Sequence, residues 1–304
     1  MIAEGDKESS NNPWVTPRAG LPIRSVFDAQ VALSRVGIAS GSIDGASGSQ
    51  TRAALEVFQR IHGLPVTGAL SEATRRSLTL ADPAVGSYAV TTGDLGRLRP
   101  LSKTWLGKSQ QDRLDYETIL ELVAERGHAH PLQIRRLNPG VDWDHVYAGQ
   151  VLKIPASEYP NPKDKAAFLR IYLSRRVLEA YDLETNVVAH FPVSIARRVE
   201  KRPVGQLRVQ TVAPNPNYVF NPDIFPESAE AKTLGRKLVL PPGPNNPVGA
   251  VWIGLDRSGY GIHGTPSPED VGRTESHGCF RLANWNAEFL VKLVWVGMPV
   301  WVEP

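Results

Sequence analysis

The sequence predicts a multidomain chain: a small three-helix bundle over residues 22–82, an α+β module over residues 86–156, and a mostly β domain over residues 165–304, built as an antiparallel sandwich or barrel. Three observations predict this. Apolar residues recur at helical spacing through the first eighty positions, whereas short β-branched and aromatic runs dominate after about residue 165. The Pro-rich joint Tyr159-Pro160-Asn161-Pro162 marks the change of pattern. A length of 304 residues also exceeds what one core usually organises.

The first helix is expected over 25–36, with Val26, Ala29, Leu33 and Val36 on one face and Gly37 after it as a stop. A Gly- and Ser-rich loop, Gly41 to Gly48, leads to a second helix over 50–62 carrying Leu55, Phe58 and Ile61. Ser71 is placed to cap a third helix running to Leu80. In the middle module a strand near Tyr88-Ala89-Val90 should be followed by helices over 117–126 and 131–137 and by a strand over 151–155. The last domain offers strands at 168–173, 177–181, 187–193, 207–212, 251–255 and 260–262, a helix over 284–296 and a strand over 300–302.

Composition narrows the function classes. Charged residues make up 21% of the chain and hydrophobic residues 41%, within the range of globular proteins. The net charge of +3 is spread over scattered pairs such as Arg75-Arg76 and Arg197-Arg198, which argues against a nucleic-acid partner. No run approaches the roughly 18 apolar residues of a membrane span. A single Cys excludes an intramolecular disulfide. The seven His show neither HExxH spacing nor a second Cys, so no metal and no cofactor are expected.

The chemistry concentrates near the end of the chain. His263 stands sixteen positions before Cys279, which lies in Ser276-His277-Gly278-Cys279-Phe280-Arg281-Leu282. A free thiol, with a pKa of about 8.5, is mostly protonated at neutral pH, and an imidazole that takes its proton makes it a nucleophile. His263 ends a strand-like stretch, so a sheet could hold the ring while the following loop returns to Cys279. Gly278 would let the backbone turn tightly beside the thiol and would leave N–H groups facing a substrate oxygen. Ser276 and His277 would brace that loop. Arg281 could bind a carboxylate through its planar fork, or could brace the loop through an ion pair.

Three stretches resemble known families. Ile43-Asp44-Gly45, Gly48, Thr51-Arg52, Ala54-Leu55, Phe58-Gln59, Gly63-Leu64-Pro65 and Gly68 together resemble the helical peptidoglycan-binding domain. Tyr88-Ala89-Val90, Gly93-Asp94-Leu95, Asn138-Pro139 and Val151-Leu152-Lys153-Ile154-Pro155 resemble a LysM module, with an insertion from Gly96 to Asp115 that departs from the pattern. That resemblance implies glycan binding, with a spacer as the alternative. His263-Gly264-Thr265 and the Cys279 string, with Pro203-Val204-Gly205 and Leu240 to Gly249 upstream, resemble the L,D-transpeptidases of the YkuD (ErfK/YbiS/YcfS/YnhG) family.

The resemblance implies a YkuD-type catalytic domain with Cys279 as nucleophile and His263 as base. It implies further catalytic positions at Ser276, His277 and Gly278, and substrate binding by Gly264, Thr265 and Arg281. The implied reaction is an attack on the third residue of a peptidoglycan stem tetrapeptide, usually diaminopimelate, with loss of D-alanine. The thioester would pass to a stem amine as a 3-3 cross-link, with a lipoprotein lysine, a D-amino acid or water as other acceptors. Carbapenems are the implied inhibitors, and a periplasmic location is expected, with the export sequence upstream of the polar stretch Met1 to Pro13. The rival readings are an L,D-carboxypeptidase, a non-catalytic wall-binding protein and a redox sensor built on Cys279.

Overall fold

Helices begin in this chain where a hydroxyl can satisfy first-turn amides. Ser25, Ser71 and Thr118 each accept a hydrogen bond from the backbone N–H three residues on, at Asp28, Thr74 and Glu121. The computed structural model describes residues 20–224, 229–275 and 278–304. The helical unit consists of α1 (Val26–Arg35), α2 (Ser49–Ile61) and α3 (Glu72–Ser77). The third helix stops short of Leu80 because Leu78 turns to extended backbone and Leu80 exchanges backbone hydrogen bonds with Leu21, at 2.7 and 3.1 Å. Leu78 and Leu80 are both buried, so packing outweighs further helix growth.

The middle module runs β1 (Val85–Ala89), α4 (Thr92–Arg97), α5 (Trp105–Ser109), α6 (Ile119–Arg126), α7 (Pro131–Leu137) and β2 (Val151–Pro155). The strands β1 and β2 pair antiparallel, from Val85 opposite Pro155 to Ala89 opposite Val151. The sequence reading lacked α4 and α5: a capping box between Thr91 and Asp94 starts the first, and Thr104 caps the second. Leu33, Leu55 and Phe58 of the helical unit share one apolar cluster with Leu122, Ile134 and Leu152 of this module.

The remainder holds β3 (Phe168–Tyr172), β4 (Val177–Tyr181), β5 (Val187–Pro192), β6 (Gly205–Pro214), β7 (Tyr218–Phe220), α8 (Ala229–Leu234), β8 (Leu238–Leu240), β9 (Val251–Leu255), β10 (Gly261–His263), β11 (Phe280–Arg281), α9 (Asn284–Leu293) and β12 (Pro299–Glu303). Eight strands form one sheet in the order β11-β10-β9-β6-β12-β3-β4-β5. Five of its seven pairings are antiparallel, while β10–β11 and β3–β12 are parallel. Phe289, Leu290 and Leu293 of α9 pack on its inner face with Phe191, Ile253, Ile262 and Val300. The helix expected to Val296 ends at Leu293, where Val294 becomes extended. Apart from this sheet, β7 and β8 pair as a separate ribbon that shares a small core, Phe220, Ala231, Leu238 and Leu240, with Leu114 of the middle module.

The helical unit closes an edge of the large sheet. The amide of Ala39 donates to the His190 carbonyl at 2.8 Å and the His190 amide to the Gly37 carbonyl at 3.1 Å, so β5 is not left with those groups open. Behind this seam Glu179 of β4 is fully buried, with Arg60 of α2 at 3.1 Å, His190 at 3.4 Å and the Tyr181 hydroxyl in hydrogen-bond contact. Burial alone would raise its carboxyl, but the hydrogen bonds from His190 and Tyr181 and the Arg60 charge outweigh it and bring the pKa down to about 2.

Candidate active site

A strand fixes its last side chain more firmly than a loop does, and His263 is the last residue of β10, held between β9 and β11. Its imidazole is buried and stacks on Trp252, with ring centroids 5.6 Å apart. His263 Nδ1 lies 2.6 Å from the Gly264 carbonyl oxygen. A carbonyl can only accept, so Nδ1 carries the proton and Nε2 keeps a lone pair. Burial presses the imidazolium form down to a pKa of about 4, helped by the Arg281 charge and opposed by the Gly264 carbonyl.

Cys279 immediately precedes β11 and faces the same cavity, of about 480 Å³, that His263 lines. Its thiol donates to the Gly259 carbonyl at 3.4 Å. Burial pushes the thiol pKa up, against smaller opposing pulls from the Gly261 amide and the Arg281 charge. Near neutral pH the cavity therefore holds a neutral thiol and a neutral imidazole rather than an ion pair. Such a pair can pass a proton from sulfur to nitrogen when a substrate arrives.

The walls come from distant parts of the chain. Pro247 and Val248 form one side, Trp252, Gly259 and Tyr260 another, and Lys201, Gly278 and Arg281 add polar or open surface. Tyr218 and Val219 of β7 reach in from the ribbon, and the negative thiolate form of Cys279 adds to burial in raising the Tyr218 hydroxyl. Trp105 comes from α5, inside the insertion of the middle module. No carboxylate lines the cavity among the described residues.

The structure separates the residues that the sequence grouped. Cys279, His263, Gly278 and Arg281 are brought together. Arg281 Nε has no hydrogen-bond partner among the described residues, while its terminal nitrogen donates to the Glu275 carbonyl. Gly264 and Thr265 sit behind His263: the Thr265 amide donates to Asn284 Oδ1 at 3.1 Å, and Thr265 is buried. Ser276 and His277 lie outside the described residues. The backbone bends at Gly278 and Cys279 outside the left-handed region, and a Cβ on Gly278 would meet no atom of the described residues within 4 Å, so the missing side chain leaves the cavity open beside the thiol.

Sequence reasoning missed Asn284, the first residue of α9. Its side chain turns inward, accepting from the Ala250 and Thr265 amides at 3.1 Å each and donating to Glu125 of α6 at 2.7 Å and the Pro244 carbonyl at 3.2 Å. An Asn before an apolar helix looks like a cap, and nothing local distinguishes it from one. Among the described residues no group of three or more His, Cys, Asp or Glu could hold a metal ion, and no helix is long and apolar enough to cross a membrane.

Comparison with known proteins assigns the parts. Residues 24–78 match the family described as "Putative peptidoglycan binding domain", and residues 166–302 match the YkuD family, the L,D-transpeptidase catalytic domain. The "Putative L,D-transpeptidase YqjB" of Bacillus subtilis is 31% identical over 152 residues, 48% of this chain and 75% of that protein. The "Putative L,D-transpeptidase YkuD" of Bacillus licheniformis is 26% identical over 185 residues, 61% of this chain and 93% of that protein. The "Probable L,D-transpeptidase YbiS" of Escherichia coli is 32% identical over 166 residues, 54% of this chain and 53% of that protein, so the match spans about half the length of that relative. With a thiol and an imidazole facing one cavity of a curled β domain, and a relative 31% identical over three quarters of its length, the chain belongs to the YkuD family of L,D-transpeptidases.

Proposed function

We propose that this protein is a cysteine-dependent peptidoglycan L,D-transpeptidase in which Cys279 is the nucleophile and His263 the general base. The observation that carries the reading is one cavity lined by both residues, with the Gly264 carbonyl holding His263 in the tautomer that leaves Nε2 free of a proton.

As the donor stem binds, Cys279 loses its proton to His263 Nε2, and the sulfur attacks the carbonyl carbon of the third stem residue, diaminopimelate. Backbone N–H groups beside Cys279 stabilise the oxyanion, the role that dominates many acyl transfers. Collapse breaks the amide to D-alanine, whose nitrogen takes the proton from His263, and a thioester remains. An amine of a second stem then attacks this thioester, giving its proton to His263 and releasing the thiolate, and a 3-3 cross-link forms. Arg281 holds a substrate carboxylate through its inward-facing guanidinium. Ser276 and His277 belong to the same sequence string as Cys279, and Gly264 and Thr265 position His263 from behind. The substrate puts the reaction in the periplasm.

Intact-protein mass spectrometry tests this directly. After a carbapenem, the parent should carry one covalent adduct and Cys279→Ala none; His263→Ala should acylate roughly 10²- to 10⁴-fold more slowly. With disaccharide-tetrapeptide, a cross-linked dimer supports the transpeptidase, tripeptide without dimer makes water the acceptor, and an adduct on Cys279→Ala removes the nucleophile assignment.

A further inference from the structure

The insertion between Gly96 and Asp115 is more than a spacer in this molecule: α5 lies against the ribbon that roofs the cavity. The Glu230 carboxylate of α8 accepts from the Trp105 and Leu106 amides, both at 2.9 Å, which fixes the start of α5 through its backbone. The Trp105 indole stacks on Phe220 of β7 with centroids 4.4 Å apart and planes 17° from parallel. The far end of the insertion is tied to the 241–249 loop. The Leu114 amide donates to the Pro242 carbonyl at 3.0 Å, and the Asn245 amide donates to the Leu114 carbonyl at 3.0 Å. Only glycine fits opposite that strap: Gly243 has φ +147°, and a Cβ there would lie 2.1 Å from the Leu114 oxygen. Both ends being held, Trp105 is a fixed, half-buried part of the cavity wall, its indole stacked on Phe220 and with Lys108 Nζ 5.9 Å from the ring centroid.

We infer that Trp105 is a substrate-binding residue supplied to the catalytic cavity by the middle module, and that it packs against the aliphatic part of the stem peptide. The inference rests on the transpeptidase reading for its substrate. The chemistry of the walls selects the ligand. Trp105, Tyr218 and Tyr260 offer aromatic faces, Lys201 and Arg281 offer cations, and carboxylates are absent among the described residues. An aliphatic chain bearing carboxylates satisfies all three conditions, and a stem peptide is such a chain. The reacting carbonyl belongs to the third stem residue, so groups that share a cavity with Cys279 meet the peptide and not the sugars.

The test uses the full chain and a tetrapeptide stem without sugars. Calorimetry compares its Kd for Cys279→Ala with that for the Trp105→Ala and Trp105→Phe changes made in the same Cys279→Ala background. The expected result is an affinity about tenfold weaker with Ala and largely restored with Phe, as for loss and retention of an aromatic contact. The same tenfold factor should appear with the disaccharide-tetrapeptide. Unchanged affinity with Ala overturns the inference, as does a loss seen only when the disaccharide is present. Phe binding as weakly as Ala, with a lowered Tm, would make Trp105 a support for the β7–β8 ribbon and also overturn it. D-alanine release by the parent reads the activity separately. A parent that binds the stem in a Trp105-dependent way but releases no D-alanine would remove the reaction and leave the binding wall.

Discussion

His263 is neutral because it is buried, and this sets two acid limits of the same sign. Its pKa in the folded chain, about 4, lies below the ordinary value of 6.5. The unfolded chain therefore binds the proton first, and the stability His263 contributes is lost as pH falls from 6.5 towards 4. His128, half-buried and stacked on Tyr159 at 4.9 Å and on Trp285 at 5.6 Å, is brought down to about 3 by desolvation of its ring and acts in the same direction. A base with that pKa also stays competent in mild acid. The pH profile of carbapenem acylation should keep its rate from pH 7 down to pH 5 and fall near 4; an acid limb near 6.5 would mean that a more exposed group limits the step. That Cys279 and His263 share one cavity was legible from sequence because each sits in a short string of specific residues, sixteen positions apart. Trp105 and Asn284 were not, since each acquires its role from partners more than a hundred positions away, as in the bonds from Trp105 to Glu230 and from Asn284 to Glu125.

The junction of α6 and α9 gathers three carboxyls, Glu121 and Glu125 half-buried and Glu288 at its exposed rim. Glu125 is pushed up to about 8 by burial and by Glu288 and Glu121, against hydrogen bonds from Asn284 and Tyr116. Glu121 and Glu288 shift in the same direction, again chiefly through burial. A carboxyl raised on folding gives stability that is whole below its ordinary pKa of 4.5 and lost as pH rises through the folded value. Between pH 7 and 8 His263 and His128, with an ordinary value of 6.5, are chiefly neutral in both states, so the raised carboxyls dominate over them there. Glu125→Gln keeps an acceptor for Asn284 and should flatten the fall in Tm across this window; an unchanged slope would place the titration elsewhere. Alternation and turn residues made β3, β4 and β5 readable nearly to their ends. The β7–β8 ribbon and α8 escaped, because their apolar faces are completed by Leu114 of another module rather than by a pattern of their own. The parallel pairings of β3 with β12 and of β10 with β11 escaped as well: strand patterning records which face is buried and not which strand lies alongside.

Across the whole molecule, the helical unit and the middle module each complete part of the catalytic domain. The helical unit covers β5 through Gly37 and Ala39, and α5 supplies a cavity wall. A fragment of residues 165–304 should therefore expose a sheet edge and self-associate, with light scattering above that of the full chain at equal concentration. A monodisperse fragment would show that the edge is protected without the helices. One more consequence follows from the position of β12, which lies between β6 and β3 with Val300 opposite Leu207 on one side and Leu169 on the other. Without it the sheet falls into two pieces, one carrying His263 and β11, the other β3 to β5. Residues 299–303 are a keystone joining strands made far earlier, and such long-range closure is slow. Until that keystone docks, the thiol and the imidazole sit on an open, unsupported fragment, so the cavity that brings them together is a product of the finished sheet rather than of the strands that carry them.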